Sequence, residues 1–164
     1  MGNPLKEETS LGPLISQSEA DRVYKWIEEA KTLGATVLIG GDQNGSFITP
    51  TVLERVNEDM KVVCEEVFGP VISLLTYKTI DEAIEAANDS DYGLQSGIFT
   101  TNINTAMSVV KRLNTGGVIV NDASTYRADL MPYGGIKSSG IGREGPQYAV
   151  EEMTEMKSVV ISLN

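Results

Sequence analysis

The sequence predicts an α/β fold: a mostly parallel βαβαβ sheet covered by helices on both faces, with a β-strand tail at the C-terminus. Strand-like and helix-like segments alternate through the middle of the chain, and the strand-like segments are almost continuously apolar, as in parallel sheets buried on both faces. Of the 164 residues, 41% are hydrophobic and 22% are charged. This composition is typical of a globular protein with a packed core.

The N-terminal part predicts a helix followed by strands. From Ser18, apolar side chains recur every three or four residues until Gly34 ends the pattern, which indicates an amphipathic helix. Thr36–Ile39 reads as a short buried strand. An extended stretch is predicted over residues 47–56, and Pro50 interrupts it.

The middle of the chain carries the alternation of strands and helices. Thr79, three residues before Glu82, is a capping-box signature that opens one helix, and Asn102 is a suitable N-cap for the next. Apolar runs suitable for strands lie before, between and after these helices, at residues 71–76, 96–100 and 118–120. This order predicts the βαβαβ unit.

A segment without periodicity begins after Asn121. It continues for about 25 residues, which is too long for a simple connection in a compact domain, so we expect a functional loop. Regular structure is expected to return over residues 148–153, and residues 154–161 are interpreted as a final strand.

Charge and composition exclude several classes of function. The chain has 13 Lys plus Arg against 23 Asp plus Glu, a formal net charge of −10, which argues against binding nucleic acid or an anionic membrane surface. It contains no histidine, so mechanisms that need a histidine base or ligand are excluded. Because it shows no long apolar run and no leader pattern, we expect a cytoplasmic protein without a membrane span. With no histidine and one cysteine, we expect no histidine-ligated or cysteine-rich metal site.

Two patterns that resemble active-site motifs are interpreted as structural. Residues 140–145 match the dinucleotide fingerprint G-x-G-x-x-G, but no strand precedes them and too little chain follows for the acidic residue that this motif requires. Cys64 is followed directly by two glutamates, which disfavour a reactive thiolate. We therefore expect Cys64 to be buried and inert.

The acids Glu65 and Glu66 stand directly before an apolar strand and a Gly-Pro turn. From composition alone, an exposed acidic turn is favoured over a binding carboxylate, because charged pairs at the ends of elements are usually solvated. Lys137 is left unassigned, since no phosphate-loop spacing precedes it.

Arg127 lies in the long loop with Tyr126 and Tyr133. One cation among aromatic rims suits a small anionic or hydroxylated ligand. The alternative is a surface arginine paired with Asp122 or Asp129, and the residues alone favour neither.

The run Glu65-Glu66-Val67-Phe68-Gly69-Pro70-Val71 resembles the E-E-x-F-G-P-V motif of the aldehyde dehydrogenase superfamily. Several blocks in one order are more specific than any one of them. Further blocks that are similar to family signatures are Gly2-Asn3-Pro4, Gly12-Pro13, Phe47-Ile48-x-Pro50-Thr51-Val52-Leu53, Tyr92-Gly93-Leu94, Val118-x-Val120-Asn121, Pro132-Tyr133-Gly134-Gly135-Ile136-Lys137-x-Ser139-Gly140, Gly142-Arg143-Glu144 and Thr154-Glu155-x-Lys157.

The resemblance covers the C-terminal portion of that family. It implies that residues 1–153 are the C-terminal part of a catalytic domain and residues 154–164 an oligomerisation strand. In the family, a cysteine thiolate attacks the aldehyde, hydride passes to NAD or NADP, and water activated by a glutamate releases the carboxylic acid. Those two residues and the dinucleotide-binding half correspond to sequence upstream of Gly2, so Cys64 is not the nucleophile. No catalytic residue is assigned, and we expect the chain to be inactive by itself.

The resemblance also implies which residues line the cofactor. Glu66 matches the acid that accepts hydrogen bonds from the hydroxyls of the nicotinamide ribose, which suits the two acceptor oxygens of a carboxylate. Phe68 matches the aromatic residue beside the nicotinamide side of the cofactor, and Leu94 matches the apolar residue near that ring. NAD or NADP is therefore the expected cofactor.

Residues 122–133 resemble the loop through which the aldehyde enters. Tyr126, Arg127 and Tyr133 are the expected substrate-binding residues. The loop is similar to that of members acting on small hydroxyaldehydes or phosphorylated trioses, such as lactaldehyde and non-phosphorylating glyceraldehyde-3-phosphate dehydrogenases. The expected function is thus a part of an NAD(P)-dependent aldehyde dehydrogenase that oxidises a small aldehyde.

The family's C-terminal strand docks against a neighbouring subunit, so the resemblance implies a homo-oligomer, either a dimer or a tetramer. The competing hypothesis is a stand-alone interaction or dimerisation module that keeps the fold without catalysis and tolerates the loss of Glu66 and Phe68. An enzyme with a new site built from Glu65, Glu66 and Asp129 ranks last, because nothing in the sequence fixes the distances between these residues.

Overall fold

The computed structural model describes residues 1–163. The chain divides into two compact units, Met1–Thr76 and a second unit that begins at Tyr77. The α/β class predicted from the sequence is confirmed, because each unit combines helices with short strands.

The first unit is built around one long helix. The Ser16 hydroxyl caps the helix by accepting a hydrogen bond from the amide of Glu19, and Gly34, with φ of 106°, follows its end. The elements of this unit are α1 (Gln17–Thr32), β1 (Thr36–Ile39), β2 (Gln43–Asn44), β3 (Phe47–Ile48), β4 (Thr51–Glu54), α2 (Lys61–Cys64) and β5 (Val71–Ser73).

Strand β4 lies at the centre of a three-stranded sheet. It pairs antiparallel with β1 and parallel with β5. The strands β2 and β3 form a hairpin whose turn is Gly45-Ser46, and Pro50 separates β3 from β4 as the sequence predicts. The apolar face of α1 and the sheet enclose the core, whose fully buried side chains include Val23, Ile27 and Leu53.

The second unit contains two separate pairs of strands. Strands β7 and β8 are parallel and are connected through α4, which makes a βαβ unit. Strands β6 and β9 are antiparallel. The elements are α3 (Ile80–Asn88), β6 (Tyr92–Gly93), β7 (Gln95–Ile98), α4 (Ile103–Arg112), β8 (Gly117–Val120), β9 (Ile136–Lys137) and α5 (Pro146–Met153).

Both N-caps predicted in this unit are confirmed. The Thr79 hydroxyl accepts from the amide of Glu82, and the Glu82 carboxylate accepts in return from the amide of Lys78. The Asn102 side chain accepts from the amides of Asn104 and Thr105.

Two details of the predicted sheet are wrong. Residues 71–76 were expected to continue one sheet with 96–100 and 118–120, but β5 pairs with β4 instead of β7. The predicted C-terminal strand is also missing, since residues 154–163 are exposed and form no strand. A strand exists only through hydrogen bonds to a neighbour, and within residues 1–163 no other strand pairs with this tail.

Candidate functional sites

The first candidate site is the turn at residues 65–70, between α2 and β5. Glu66 is exposed, and among residues 1–163 its carboxylate has neither an ion pair nor a hydrogen-bond donor. Phe68 is 76% exposed. The turn therefore presents a free carboxylate and a bare aromatic ring to solvent, two residues apart.

Phe68 adopts a backbone conformation that bulky residues avoid. Its φ is 47°, in the left-handed region. This conformation costs roughly 1–2 kcal/mol for a residue other than glycine. An unfavourable backbone that leaves a large ring exposed is typical of a functional position, where surrounding contacts maintain the strain.

The prediction that Cys64 is buried is wrong. Cys64 is exposed. It is the last residue of α2, which is a single helical turn, and that turn places Val62 towards the core and Cys64 outside. No charged nitrogen lies within salt-bridge distance of Glu65 or Glu66 in residues 1–163, so the neighbourhood of the thiol stays acidic.

Leu94, in the second unit, lies between β6 and β7 and is 38% exposed. Its carbonyl oxygen accepts a hydrogen bond from the amide of Gly117 at 3.2 Å. The backbone of Leu94 is thus fixed by β8 while part of its side chain faces solvent.

The second candidate site is the loop at residues 122–133. Arg127 donates from Nη2 to Oε2 of Glu144 over 2.7 Å, and its guanidinium carbon lies 4.4 Å from the centroid of the Tyr133 ring. The backbones of Tyr133 and Glu144 exchange two hydrogen bonds. The alternative that Arg127 pairs with Asp122 or Asp129 is not what the structure shows, because the bridge to Tyr133 brings Glu144 to the guanidinium instead.

Tyr126 lies on the same loop and is exposed. Its carbonyl oxygen accepts from Nε2 of Gln95 at 2.7 Å, which ties this part of the loop to β7. The structure therefore brings Arg127 and Tyr133 into contact and places Tyr126 on the attached part of the loop.

Residues with positive φ stand on either side of this loop. Asn121 has φ of 63°, and its side chain accepts from the amide of Thr100 at 2.8 Å. Lys137 has φ of 55°, and its ammonium donates to the carbonyl oxygens of Asn88 and Ser90. Lys137 thus caps the C-terminal end of α3, which gives it a structural role that the sequence left unassigned.

Sequence reasoning on the residues alone missed Glu144 and Arg143. Nη1 of Arg143 donates to the carbonyl oxygens of Gly135 and Gly142. The Gly142-Arg143-Glu144 block is visible as a motif, but Gly135 and Arg127 lie 8 and 17 positions away from the residues that they contact, along an irregular loop. The fingerprint at residues 140–145 lies in the loop that joins β9 to α5, so the expectation that no strand precedes it is wrong. The preceding strand has only two residues and pairs antiparallel with β6, unlike the parallel strand that a dinucleotide fingerprint follows.

Within the described residues 1–163, no group of three or more Cys, Asp or Glu side chains could hold a metal ion. In the same range, no helix combines the length and apolarity that a membrane span requires.

The sequence and the structure were compared with known proteins. Residues 1–159 match the aldehyde dehydrogenase family. The chain is 52% identical over 163 residues to a 3-sulfolactaldehyde dehydrogenase of Priestia aryabhattai, covering 99% of this chain and 34% of the relative. It is 51% identical to a lactaldehyde dehydrogenase of Methanococcus vannielii, with 98% of this chain and 34% of that protein covered.

A crystal structure shows the same likeness. The glyceraldehyde-3-phosphate dehydrogenase of Methanocaldococcus jannaschii, complexed with NADP, superposes with a TM-score of 0.92 at 44% identity, covering 99% of this chain and 35% of that one. The chain thus spans about a third of the length of the relatives that it matches. Since the family match extends over nearly the whole sequence, this chain belongs to the aldehyde dehydrogenase family.

Proposed function

We propose that this chain forms the C-terminal part of the catalytic domain of an NAD(P)-dependent aldehyde dehydrogenase, which oxidises a small aldehyde to a carboxylic acid. Its role there is to bind the nicotinamide side of the cofactor and to line the substrate entrance. The observation that carries this proposal is the free carboxylate of Glu66 on a strained turn inside the family motif. The chemical step would use residues that this chain does not contain.

The residues present fit a nicotinamide nucleotide. The Glu66 carboxylate has no partner among residues 1–163, so both of its oxygens are available to the two neighbouring hydroxyls of a ribose. The exposed ring of Phe68 offers an apolar face beside it. When bound, the nicotinamide accepts a hydride, and the contribution of this chain is to fix the position of that ring.

Substrate selection is proposed to depend on the loop at residues 122–133. The Arg127 guanidinium has five N–H donors, and Glu144 accepts from one of the two on Nη2. The remaining donors suit a hydroxyl, carboxylate, sulfonate or phosphate on a short aldehyde. The relatives include enzymes named for sulfolactaldehyde and lactaldehyde, which are compounds of this kind.

The exposed tail at residues 154–163 supports a role in assembly. Its large apolar side chains Val160, Ile161 and Leu163 are all exposed. Pairing with another chain would bury these apolar side chains and satisfy the backbone hydrogen-bonding groups, so we propose that the tail contributes to a homo-oligomer. Light scattering that shows a monomer over a wide concentration range would contradict this part of the proposal.

A chimera tests the enzyme assignment. This chain would replace the matching third of the 3-sulfolactaldehyde dehydrogenase of Priestia aryabhattai, and the purified product would be assayed for aldehyde-dependent reduction of NAD or NADP. We expect activity in the chimera and none in the isolated chain. A folded chimera without activity would contradict the proposal.

Neighbouring carboxylates supply the matched control in that chimera. Glu66→Gln should raise the KM for the cofactor by about tenfold, since a hydrogen bond to a charged acceptor contributes about 1.5 kcal/mol. Glu65→Gln removes an equal charge from the adjacent position and should leave the KM nearly unchanged. Equal effects of the two substitutions on the KM would show that the overall negative charge of the turn, and not a ribose contact, explains the result.

A further inference from the structure

An arginine on α1 holds the turn at residues 65–70. Nη2 of Arg22 donates a hydrogen bond to the carbonyl oxygen of Val67 over 2.7 Å. Val67 stands between Glu66 and Phe68, the two residues that we propose for cofactor binding. The hydrogen bond therefore anchors the turn at the one residue that separates them.

The guanidinium of Arg22 is itself held in place. Its Nε donates to Oε2 of Glu19 at 2.9 Å, and its carbon lies 4.4 Å from the centroid of the Trp26 ring. The Arg22 side chain is only 28% exposed. A guanidinium fixed by a carboxylate and an aromatic ring has already lost most of its rotamer freedom, so donation to Val67 costs little further entropy.

The same helix contacts the turn on the other side of Phe68. A Cβ atom on Gly69 would lie 3.1 Å from a methyl group of Val23, which is fully buried. The hydrogen bond to Val67 and the close packing of Gly69 thus flank Phe68, whose φ of 47° needs support from its surroundings.

We propose that Arg22 is a positioning residue for NAD(P) binding. It fixes the turn so that the Glu66 carboxylate contacts the nicotinamide ribose while the Phe68 ring contacts the nicotinamide ring of the same cofactor. The proposal rests on the function proposed above for Glu66 and Phe68. Arg22 contacts the carbonyl oxygen of Val67, not the cofactor. Without this donor the turn would sample conformations in which the two side chains no longer act on one ligand.

The test uses the isotope-labelled 164-residue chain and nicotinamide mononucleotide, which carries only the part of the cofactor that this turn would contact. Titration to millimolar concentrations is followed by NMR at the amides of residues 66–69, and hydrogen exchange is measured at the same amides. In Arg22→Gln we expect binding to weaken roughly five- to tenfold and exchange at these amides to accelerate, because a charged donor is lost. Arg22→Lys, which keeps a cation but not the planar fork, should recover part of the binding.

Two variants separate positioning from a general effect on the helix. Lys31→Gln removes the ion pair of Lys31 with Glu28, which has the same spacing on the same helix and does not contact the turn, so it should bind nicotinamide mononucleotide like the wild type. Glu19→Gln loosens the hold on the Arg22 guanidinium but leaves the donation to Val67, so it should weaken binding less than Arg22→Gln does. If Arg22→Gln does not fold, the affinities of Arg22→Lys and Lys31→Gln for nicotinamide mononucleotide are compared instead, and weaker binding by Arg22→Lys is the result expected.

The possible failures are distinguishable. If the wild-type chain binds nicotinamide mononucleotide and Arg22→Gln binds it equally well, Arg22 is not a positioning residue, but the proposed cofactor site stands. A wild-type chain that gives no shift at residues 66–69, or a shift that Glu66→Gln does not diminish, overturns the cofactor site and the positioning role with it.

Discussion

Arg127 and Glu144 form an ion pair that closes the long loop of the second unit, with 2.7 Å between Nη2 and Oε2. They stand 17 positions apart in the sequence. Between them, Tyr133 pairs its backbone with Glu144 and places its ring against the guanidinium. The arginine proposed to choose the substrate is therefore oriented by the protein before any ligand arrives, which lowers the entropy cost of binding.

The first prediction concerns the strength of this pair. The side chains are 52% and 65% exposed, so a double-mutant cycle with Arg127→Met and Glu144→Gln should give a coupling energy of only about 0.5 kcal/mol. The coupling should fall as salt is added, because exposed charges are screened. Urea unfolding of the four proteins at low and high salt measures both quantities. A coupling that salt leaves unchanged would show that attraction between the two charges does not stabilise the pair.

The second prediction concerns the start of the loop. Asn121 combines a left-handed backbone with a side-chain hydrogen bond to the amide of Thr100. Asn121→Ala should reduce the free energy of unfolding by about 2 kcal/mol, because it loses the hydrogen bond and gains backbone strain. Asn121→Gly should cost about 1 kcal/mol, since glycine accepts this φ freely. If both variants lose the same free energy of unfolding, the backbone conformation contributes nothing and the loss of the hydrogen bond explains the whole effect.

The sequence predicts local structure here better than it predicts strand pairing. Helix starts were found at Thr79 and Asn102 because a capping side chain acts on amides two or three residues away. The partner of β5 was predicted wrongly because pairing joins distant residues, and an apolar run suits more than one neighbour. The tail at residues 154–163 has a strand-like sequence, yet sequence alone cannot supply the partner that would make it a strand.

The same distinction applies to the sites. The acidic turn and the long loop were located from their residues, but the partner of Arg127 was not, because Asp122 and Asp129 are near in sequence while Glu144 is near in space. Cys64 is exposed because it is the last residue of a four-residue helix. A helix of one turn is too short for apolar periodicity to show which side chains face the core. Arg22 gave no signal at all, since an arginine on an amphipathic helix is ordinarily solvated.

The third prediction compares two leucines. Leu53 lies in the centre of β4 and is fully buried, whereas Leu5 is 92% exposed. Leu53→Ala should lower the free energy of unfolding by about 3 kcal/mol, from lost burial and the cavity left behind. Leu5→Ala removes the same atoms from the surface and should change it by less than about 0.5 kcal/mol. Chemical denaturation of both variants checks this, and similar losses would contradict the position of the core.

The fourth prediction concerns acid. The hydrogen bonds from Gln43 and Gln17 lower the pKa of Asp21 below its ordinary value; their Nε2 atoms lie 2.7 and 2.8 Å from Oδ1. A group whose pKa is lower in the folded state stabilises the protein above its unfolded pKa, and this contribution is lost as the pH falls through the folded value. The stability difference between wild type and Asp21→Asn should therefore be constant near neutral pH and shrink below about pH 4.

NMR titration of the Asp21 carboxyl carbon tests the cause of that shift directly. Gln43→Ala removes the larger of the two contributions and should raise the pKa of Asp21 more than Gln17→Ala does. Each variant leaves one amide donor in place, so neither should return the pKa fully to that of an unfolded chain. Since Gln43 lies on β2 and Asp21 on α1, this titration also reports whether the hairpin stays docked on the helix in solution. A midpoint that is identical in all three proteins would show that the hairpin is not held there by Asp21.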